Sequence, residues 1–148
     1  MFLLDTNVIS ELRKARAGRA DAKVMAWIRS VPAASLFLSA IVIQELEIGI
    51  LRAERRDAAK GALLRAWLDD HVLPTFSERI LPVDTAVALR SAALHVPDPR
   101  PIRDGLIAGT ALTHGMTLVT RNVSDFESTG ARLLNPWKER PGAKSGMD

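Results

Sequence analysis

The sequence predicts a single α/β domain built on a central parallel β-sheet of about five strands, with helices on both faces. Short apolar runs alternate with amphipathic helical stretches along the 148 residues, and strands separated by helices form parallel sheets. Polar residues come directly after several of the apolar runs. If these runs are strands, the polar residues lie at the carboxyl edge of the sheet. The domain is expected to cover residues 1–137, followed by a polar, flexible tail at 138–148.

The first half of the chain is predicted to contain two strands and four helices, in the order β 1–4, α 7–13, α 21–31, β 36–38, α 40–55 and α 57–71. The apolar run from Met1 to Leu4 stops abruptly at Asp5, which is typical of a short buried strand. Asp5 or Thr6 is suited to cap the first helix, and Ser39 the third.

The second half is predicted to contain three strands and two helices, in the order β 80–83, α 84–96, α 101–114, β 117–120 and β 132–134. The proline-rich segment 97–101 is expected to be a stiff connection between the two helices. Gly105 and Gly109 stand one turn apart inside a helix, where each costs about 1 kcal/mol relative to alanine. We expect them, and Gly49 likewise, to let their helices pack closely on the sheet.

Composition narrows the function classes. The chain has no cysteine, which excludes disulfides, thiolate zinc sites and cysteine nucleophiles, so any metal must be held by oxygen or imidazole. No apolar run approaches the roughly 18 residues of a membrane span, and no leader is apparent, so a cytoplasmic location is expected. Basic residues cluster after Asp5 and after Glu45. They suit a polyanionic partner, but solvated helix faces explain them better, so the charge pattern alone does not indicate nucleic-acid binding.

Four acidic residues stand among apolar or small residues, namely Asp5, Glu45, Asp104 and Asp125. A carboxylate against an apolar wall is costly unless a group of opposite charge pairs with it. The simplest partner for several carboxylates at once is a divalent cation, because hard cations prefer oxygen ligands. We therefore expect the four acids to meet at one metal site.

Each acid also has a local explanation. Asp104 lies in the first turn of a predicted helix, whose positive end stabilises a carboxylate by about 0.3–1 kcal/mol. Asp5 and Asp125 are suited to cap the helix or turn that follows them. Glu45 lies mid-helix and has Arg52 or another exposed basic residue as an alternative partner. Convergence on one site explains all four acids together.

Four segments of the sequence resemble the motifs of the PIN domain: Leu4–Glu11, Ser39–Gly49, Asp104–Ala111 and Thr120–Phe126. Their order and spacing resemble those of VapC-type toxins, and the closing Leu134–Trp137 resembles the FitB-like branch. The resemblance extends over residues 1–137, the whole predicted domain. Arg103 and the proline-rich lead before it are less usual in that family.

The resemblance implies a toxin of a toxin–antitoxin pair that cleaves RNA using Mg²⁺ or Mn²⁺. It implies an acidic, metal-binding quartet formed by Asp5, Glu45, Asp104 and Asp125. It also implies that polar residues line the same pocket, namely Thr6, Asn7, Thr120 and Asn122. The partners implied are RNA, a small antitoxin that covers the pocket, and a second copy of the chain bound through helices.

The chemistry of phosphodiester hydrolysis fits these residues. The reaction needs a neutralised phosphate, an activated water and a stabilised leaving oxygen, and a carboxylate-bound Mg²⁺ or Mn²⁺ supplies all three. We expect Asp5 and Asp104 to be the principal ligands, with Asp125 holding the same ion or a second one. Glu45 is expected to orient or deprotonate the attacking water.

Two other function classes remain open. One is a non-catalytic PIN-like module that acts in an antitoxin-tethered, DNA-binding repressor complex. The other is a phosphatase or phosphoacceptor on a parallel sheet. The second is disfavoured because Asn7 stands where a second aspartate would follow Asp5, and no lysine follows a late strand in a suitable setting. The prediction is a metal-dependent endoribonuclease.

Overall fold

The computed structural model of the chain describes residues 1–138 and confirms the parallel five-stranded sheet. The strands are β1 (Phe2–Leu4), β2 (Leu36–Ser39), β3 (Ile80–Leu81), β4 (Thr117–Val119) and β5 (Leu133–Leu134), in the spatial order β3-β2-β1-β4-β5. All four pairings are parallel. Except for Lys138, the tail predicted at 138–148 lies outside the described residues.

Seven α-helices connect and cover the strands within residues 1–138: α1 (Thr6–Lys14), α2 (Ala22–Arg29), α3 (Ala40–Arg56), α4 (Ala58–Trp67), α5 (Leu73–Thr75), α6 (Thr85–Ala93) and α7 (Ile102–His114). The cap predicted at Ser39 is present, because its hydroxyl accepts a hydrogen bond from the Ile41 amide. Gly115 ends α7 at a φ of +65°. None of these helices is long and apolar enough to cross a membrane.

The central strand β1 is covered on both faces of the sheet. Leu3 and Leu4 are consecutive in the strand, so their side chains point to opposite faces, and both are fully buried. The same holds for Leu118 and Val119 of β4. Burial on both sides explains why these strands are continuous apolar runs rather than alternating patterns.

The chain reverses its direction of travel across the sheet between β1 and β4. From β1 it moves outward through β2 to β3, and it then returns to pair β4 on the other side of β1. The Asp5 amide donates to the Val119 carbonyl at 2.9 Å, which continues this pairing past the end of β1. Such a reversal opens a crevice at the carboxyl ends of the strands, where ligands bind in open α/β sheets.

The helix predicted at 57–71 is confirmed as far as Trp67 and is wrong as an α-helix over its last four residues. α4 ends at Trp67, a π-helical turn covers Leu68–Val72, and α5 follows directly. Leu68 and Val72 are both buried in the core. The wider π turn keeps these two side chains on the core side while the chain extends beyond His71.

The close approach made by two glycines is to another helix, not to the sheet as predicted. A Cβ placed on Gly105 would lie 2.8 Å from Nε2 of His95, and one on Gly109 would lie 3.0 Å from Cβ of Ser91. Both neighbours belong to α6 or its C-terminal end, so the glycines serve the α6–α7 contact. The prediction for Gly49 is wrong, because nothing lies within 4 Å of a Cβ placed there.

Candidate active site

Asp5 lies at the carboxyl end of β1, in the crevice beside β4, and is almost completely buried. Its Oδ1 accepts the Thr6 amide at 2.8 Å, so it caps α1 as one of the local explanations predicted. Its Oδ2 accepts the Thr120 hydroxyl at 2.7 Å. The Asp5 side chain therefore both caps α1 and belongs to the candidate site, and the capping hydrogen bond fixes the orientation of its carboxylate towards the crevice.

Thr120 joins β4 to this carboxylate. Its hydroxyl donates to Asp5 and accepts from Nδ2 of Asn7 at 3.4 Å and from the Asn122 amide at 3.0 Å. A hydroxyl has one donor and two acceptor positions, and all of them are used here. Asn7 in turn accepts the Arg121 amide at 3.3 Å. The predicted pocket residues Asn7 and Thr120 thus form one network with Asp5.

Glu45 reaches the same crevice from the second turn of α3, which begins directly after β2. Its Oε1 accepts a hydrogen bond from the Thr6 hydroxyl, across 39 positions of the chain. Thr6 therefore links the helix that follows β1 to the helix that follows β2. The alternative pairing of Glu45 with Arg52 is wrong, because its ion pair is with Arg103.

Arg103 stands at the centre of the acids. Its Nε donates to Glu45 and its Nη2 to Asp5, and its Nη1 donates to Asp104 at 2.9 Å. Each arm of the guanidinium is thereby paired with a carboxylate from a different helix or strand end. We call these four residues the Arg103 cluster: Asp5, Glu45, Arg103 and Asp104.

The electrostatics of the Arg103 cluster favour the charged guanidinium. Burial alone lowers the pKa of Arg103, because it penalises the charged form. The hydrogen bond to Glu45, together with the charge and hydrogen bond of Asp5, outweighs that effect and raises the pKa of Arg103 above its ordinary value. The cluster is therefore a cation-binding arrangement that already holds one cation.

Two predicted site residues are placed differently from the others. Asp125 is exposed in a short 3₁₀ turn, Val123–Asp125, and has no hydrogen bond or ion pair to the Arg103 cluster within residues 1–138. Asn122 contacts Thr120 through its backbone amide, while its side chain is on the exposed side. Asp125 and the Asn122 side chain therefore remain predictions as site residues.

Arg103 is a member of the site that the sequence does not predict, although its position carries a signal for such a role. Arg103 lies in the first turn of α7, where the helix dipole disfavours a positive charge. A cation placed there needs compensating acids, and Asp104 beside it on the same turn offers only one. The remaining compensation comes from Asp5 and Glu45, far away in the chain.

The donor set of the Arg103 cluster fits a hard divalent cation. Its ligand atoms are carboxylate oxygens with hydroxyl oxygens beside them, the chemistry that Mg²⁺ and Mn²⁺ prefer. Within the described part of the chain, however, no three acidic or histidine side chains are close enough together to hold a metal as they stand. The guanidinium occupies the space between the carboxylates, so a metal requires that it move.

One open cavity is lined by a residue of the cluster. It has a volume of about 220 Å³, lies between α1, α3 and α4, begins at Thr6 and Glu45 and extends past Arg13 to Trp67. A second cavity, of about 550 Å³, begins after β4 at Arg121 and Asn122, the residues that follow Thr120, and reaches Trp137. Both cavities are lined by an arginine, Arg13 in the first and Arg121 in the second.

Comparison with known proteins assigns the family. Residues 2–131 match the PIN domain. The chain is 38% identical over 143 residues to the VapC ribonuclease Y4jK of Sinorhizobium fredii, covering 93% of this chain and 99% of that protein. It is 36% identical over 144 residues to toxin FitB of Neisseria gonorrhoeae, covering 94% and 100%.

Comparison with solved structures supports the same family. The crystal structure of FitAcB from Neisseria gonorrhoeae superimposes with a TM-score of 0.84 at 35% identity, over 94% of this chain and all of that one. Sequence and structure thus match over nearly the full length of both molecules. The chain belongs to the PIN-domain family.

Proposed function

We propose that this protein is the toxin of a toxin–antitoxin pair and a divalent-metal-dependent endoribonuclease of the cytoplasm. The observation that carries the proposal is the Arg103 cluster, in which three carboxylates from distant parts of the chain converge at the switch point of the sheet. The relatives named VapC ribonuclease and toxin FitB support the reaction and the biological role.

Asp5, Asp104 and Asp125 are the residues proposed to hold Mg²⁺ or Mn²⁺. The bound ion supplies charge neutralisation at the phosphate, a more acidic water and stabilisation of the leaving oxygen. Asp5 is oriented for this role by its cap to Thr6 and its bond from Thr120. Asp125 is already exposed, so it is proposed to act from the rim of the pocket.

Glu45 is proposed as the base that accepts a proton from the attacking water. A base must have a free acceptor oxygen close to the water. In this structure both oxygens of Glu45 are engaged, one by the Thr6 hydroxyl and the other by Arg103. Release of Arg103 frees the second oxygen, while Thr6 keeps the side chain aimed at the crevice.

RNA, an antitoxin and a second copy of the chain are the proposed partners. Arg13 and Arg121, which line the two cavities, suit an RNA backbone that reaches the carboxylates. The apolar floor between α1, α3 and α4 suits an antitoxin segment that covers the pocket. The exposed apolar side chains Leu89 and Ile102 support a dimer formed through α6 and α7.

The test of the nuclease is cleavage of single-stranded and hairpin RNAs by wild type, Asp5→Asn and Asp104→Asn, with Mg²⁺, with Mn²⁺ and with EDTA. Asparagine remains a good helix cap, so Asp5→Asn keeps the fold. We expect a loss of at least about a hundredfold, because several kcal/mol of transition-state stabilisation depend on the ligands. Glu47→Gln, two residues from Glu45 on α3, is the control and is expected to retain full activity.

Cleavage that persists in EDTA, or full activity of both aspartate variants, would refute the proposal.

A second function is favoured by Arg103 itself, because its charge neutralises acids that would otherwise need a metal ion as their partner. That function is a non-catalytic module in an antitoxin-tethered, DNA-binding repressor. It predicts no uptake of Mg²⁺ or Mn²⁺ in a calorimetric titration, whereas the nuclease predicts binding.

A further inference from the structure

Arg103 uses the same carboxylate oxygens that a metal would need. Its three nitrogens are each directed at an acid: Nη2 at Oδ1 of Asp5, Nε at Oε2 of Glu45 and Nη1 at Oδ1 of Asp104. A guanidinium carries one positive charge against three negative ones, so the cluster keeps an excess of negative charge. That excess favours replacement of the arginine by a divalent ion.

Two of the three carboxylates keep other partners when the arginine leaves. Asp5 is held by the Thr6 amide and the Thr120 hydroxyl, and Glu45 by the Thr6 hydroxyl. Arg103 has no comparable second set of partners, since its only other side-chain hydrogen bond within residues 1–138 is a 3.5 Å approach of Nη2 to the Thr6 hydroxyl. Asp5 and Glu45 are thus held in place without Arg103, and the guanidinium is the exchangeable member of the cluster.

Arg103 also has a route out of the site. Its side chain is about one-third exposed, whereas Asp5 beneath it is buried. It lies in the first turn of α7, next to the exposed Ile102, where the helix dipole gives no help in holding a cation. Rotation of the side chain towards solvent therefore removes the guanidinium without moving the sheet or the helix.

We propose that Arg103 is an internal cation that competes with the divalent metal for the carboxylates of the site. The inference rests on the proposed metal-dependent function and adds a regulatory residue to it. With Arg103 in place the acids are paired and no base is free, and metal uptake requires its release. The apparent metal affinity therefore equals the intrinsic affinity multiplied by the fraction of molecules in which Arg103 has left the carboxylates.

Calorimetric titration of Mn²⁺ and of Mg²⁺ into wild type, Arg103→Gln and Arg121→Gln tests the competition. We expect Arg103→Gln to bind the metal at least about tenfold more tightly than wild type, because the competing cation is gone. Arg121→Gln removes an equal charge beside the pocket, from a side chain that stacks on Trp137 and does not contact the acids. It is expected to stay within about twofold of wild type, since an exposed charge is largely screened.

Three results of the titration would overturn the proposal. Equal or weaker binding by Arg103→Gln would make Arg103 a fixed support of the site, with the metal-dependent function left intact. An equal gain in Arg121→Gln would show a general effect of charge. No metal uptake by either wild type or Arg103→Gln would remove the proposed metal-dependent function and the inference with it.

A second measurement follows Arg103 directly in the wild-type protein and does not depend on the metal affinity of a variant. The Nε–Hε signal of Arg103, assigned by its loss in Arg103→Lys, is followed by NMR during titration with Mg²⁺. We expect this signal to move from a carboxylate-bonded to a solvent-exposed position as the metal binds. An Arg103 signal that stays unchanged while the Asp5 and Thr120 amide signals shift to saturation would overturn the competition.

Discussion

Two arginines of this protein each face three carboxylates, and the two clusters show what separates a site from surface ion pairs. The Arg103 cluster lies at the carboxyl edge of the sheet. The second, which we call the Arg65 cluster, lies on the helices and consists of Glu47, Glu54, Arg65 and Asp69. Glu45 and Glu47 are two positions apart on α3, yet each belongs to a different cluster.

The arginines are almost equally exposed, so the difference lies in the acids. Side-chain exposure is 31% for Arg103 and 29% for Arg65. The acids of the Arg65 cluster are 37%, 35% and 50% exposed, in the order Glu47, Glu54 and Asp69. Those of the Arg103 cluster are 1%, 29% and 13% exposed, in the order Asp5, Glu45 and Asp104.

The acids also differ in what else holds them. Asp5 and Glu45 have hydroxyl partners in addition to Arg103. Within residues 1–138, Glu47 and Glu54 accept hydrogen bonds from Arg65 alone. Loss of Arg65 therefore lets its acids return to water, whereas loss of Arg103 leaves fixed carboxylates that need another cation. The clusters can be separated by experiment on this basis.

The largest difference is expected between Arg103→Met and Arg65→Met in the free energy of unfolding without metal. Arg103→Met leaves partly buried carboxylates unpaired and is expected to cost about 2 kcal/mol, below the roughly 3–5 kcal/mol of a fully buried pair. Arg65→Met is expected to cost clearly less, because its acids are solvated. Urea unfolding followed by tryptophan fluorescence in EDTA measures both.

Addition of metal is expected to affect the stability of Arg103→Met and Arg65→Met differently. Mg²⁺ is expected to restore stability to Arg103→Met, because a ligand that binds only the folded state stabilises it. It is expected to leave the deficit of Arg65→Met relative to wild type unchanged. Equal losses in EDTA, or rescue of Arg65→Met alone, would contradict the distinction between the clusters.

Much of this architecture could be predicted because its signals are local. The abrupt end of an apolar run at Asp5 and the cap at Ser39 mark strand ends and helix starts within a few residues. The π turn at 68–72 could not be predicted in this way, because burial of Leu68 and Val72 in the core decides it. The partners of Gly105 and Gly109 depend likewise on how α6 lies against α7.

The meeting of the acids was predictable in part. Asp5 follows β1 and Glu45 lies in the helix directly after β2, and the parallel sheet brings such positions to one edge. Asp104 lies in the first turn of α7, which follows no strand directly. The inward direction of Arg103 was not predictable from its neighbours, because its ion pair with Asp5 joins residues 98 positions apart. A sequence pattern can predict acids at strand ends, but it does not indicate which cation pairs with them.

The next largest effect is expected for Thr120→Val, which removes the hydroxyl that bridges Asp5 and Asn7. Loss of a group that orients a ligand typically costs about ten- to a hundredfold in activity or metal affinity. Thr110→Val is the matched control, since Thr110 is equally buried but its hydroxyl only donates to Leu106 in its own helix. RNA cleavage and metal affinity are measured for both variants.

Both threonine variants lose one buried hydroxyl, so both are expected to lose roughly 1 kcal/mol of stability. Only Thr120→Val is expected to lose activity as well. Equal activity of the two variants would mean that the Thr120 hydroxyl has a purely structural role. Such a result would separate the network around Asp5 from the proposed reaction.

A smaller effect is expected for Asp125→Asn. Asp125 is exposed and makes no described contact with the Arg103 cluster, so its proposed contribution to metal binding is from the rim. We expect a loss in cleavage of about tenfold or less, like that of a supporting ligand. Asp70→Asn is the control, because Asp70 is also an exposed acid and has no contact with the Arg103 cluster within residues 1–138. A loss as large as that of Asp5→Asn would place Asp125 among the principal ligands.

The smallest effect is expected for the stability of Glu47→Gln, a variant of the Arg65 cluster, and it depends on pH. The hydrogen bond from Arg65 is the main cause that lowers the pKa of Glu47, with attraction to the same guanidinium adding to it and burial opposing it. A carboxylate with a lowered pKa stabilises the folded state above its unfolded pKa, about 4.3 for glutamate. That contribution is lost as the pH falls through the lowered value in the folded state.

Melting temperatures of wild type and Glu47→Gln between pH 7 and pH 3 measure this contribution. Wild type is expected to melt a few degrees higher at most near neutral pH, as is usual for an exposed ion pair. The difference is expected to shrink below about pH 4.3, where the unfolded carboxyl is protonated, and to shrink also in high salt, which screens solvated charges. A difference that grows as the pH falls would show that Glu47 is stabilised by burial of its neutral form, and the contrast with the Arg103 cluster would then need another basis.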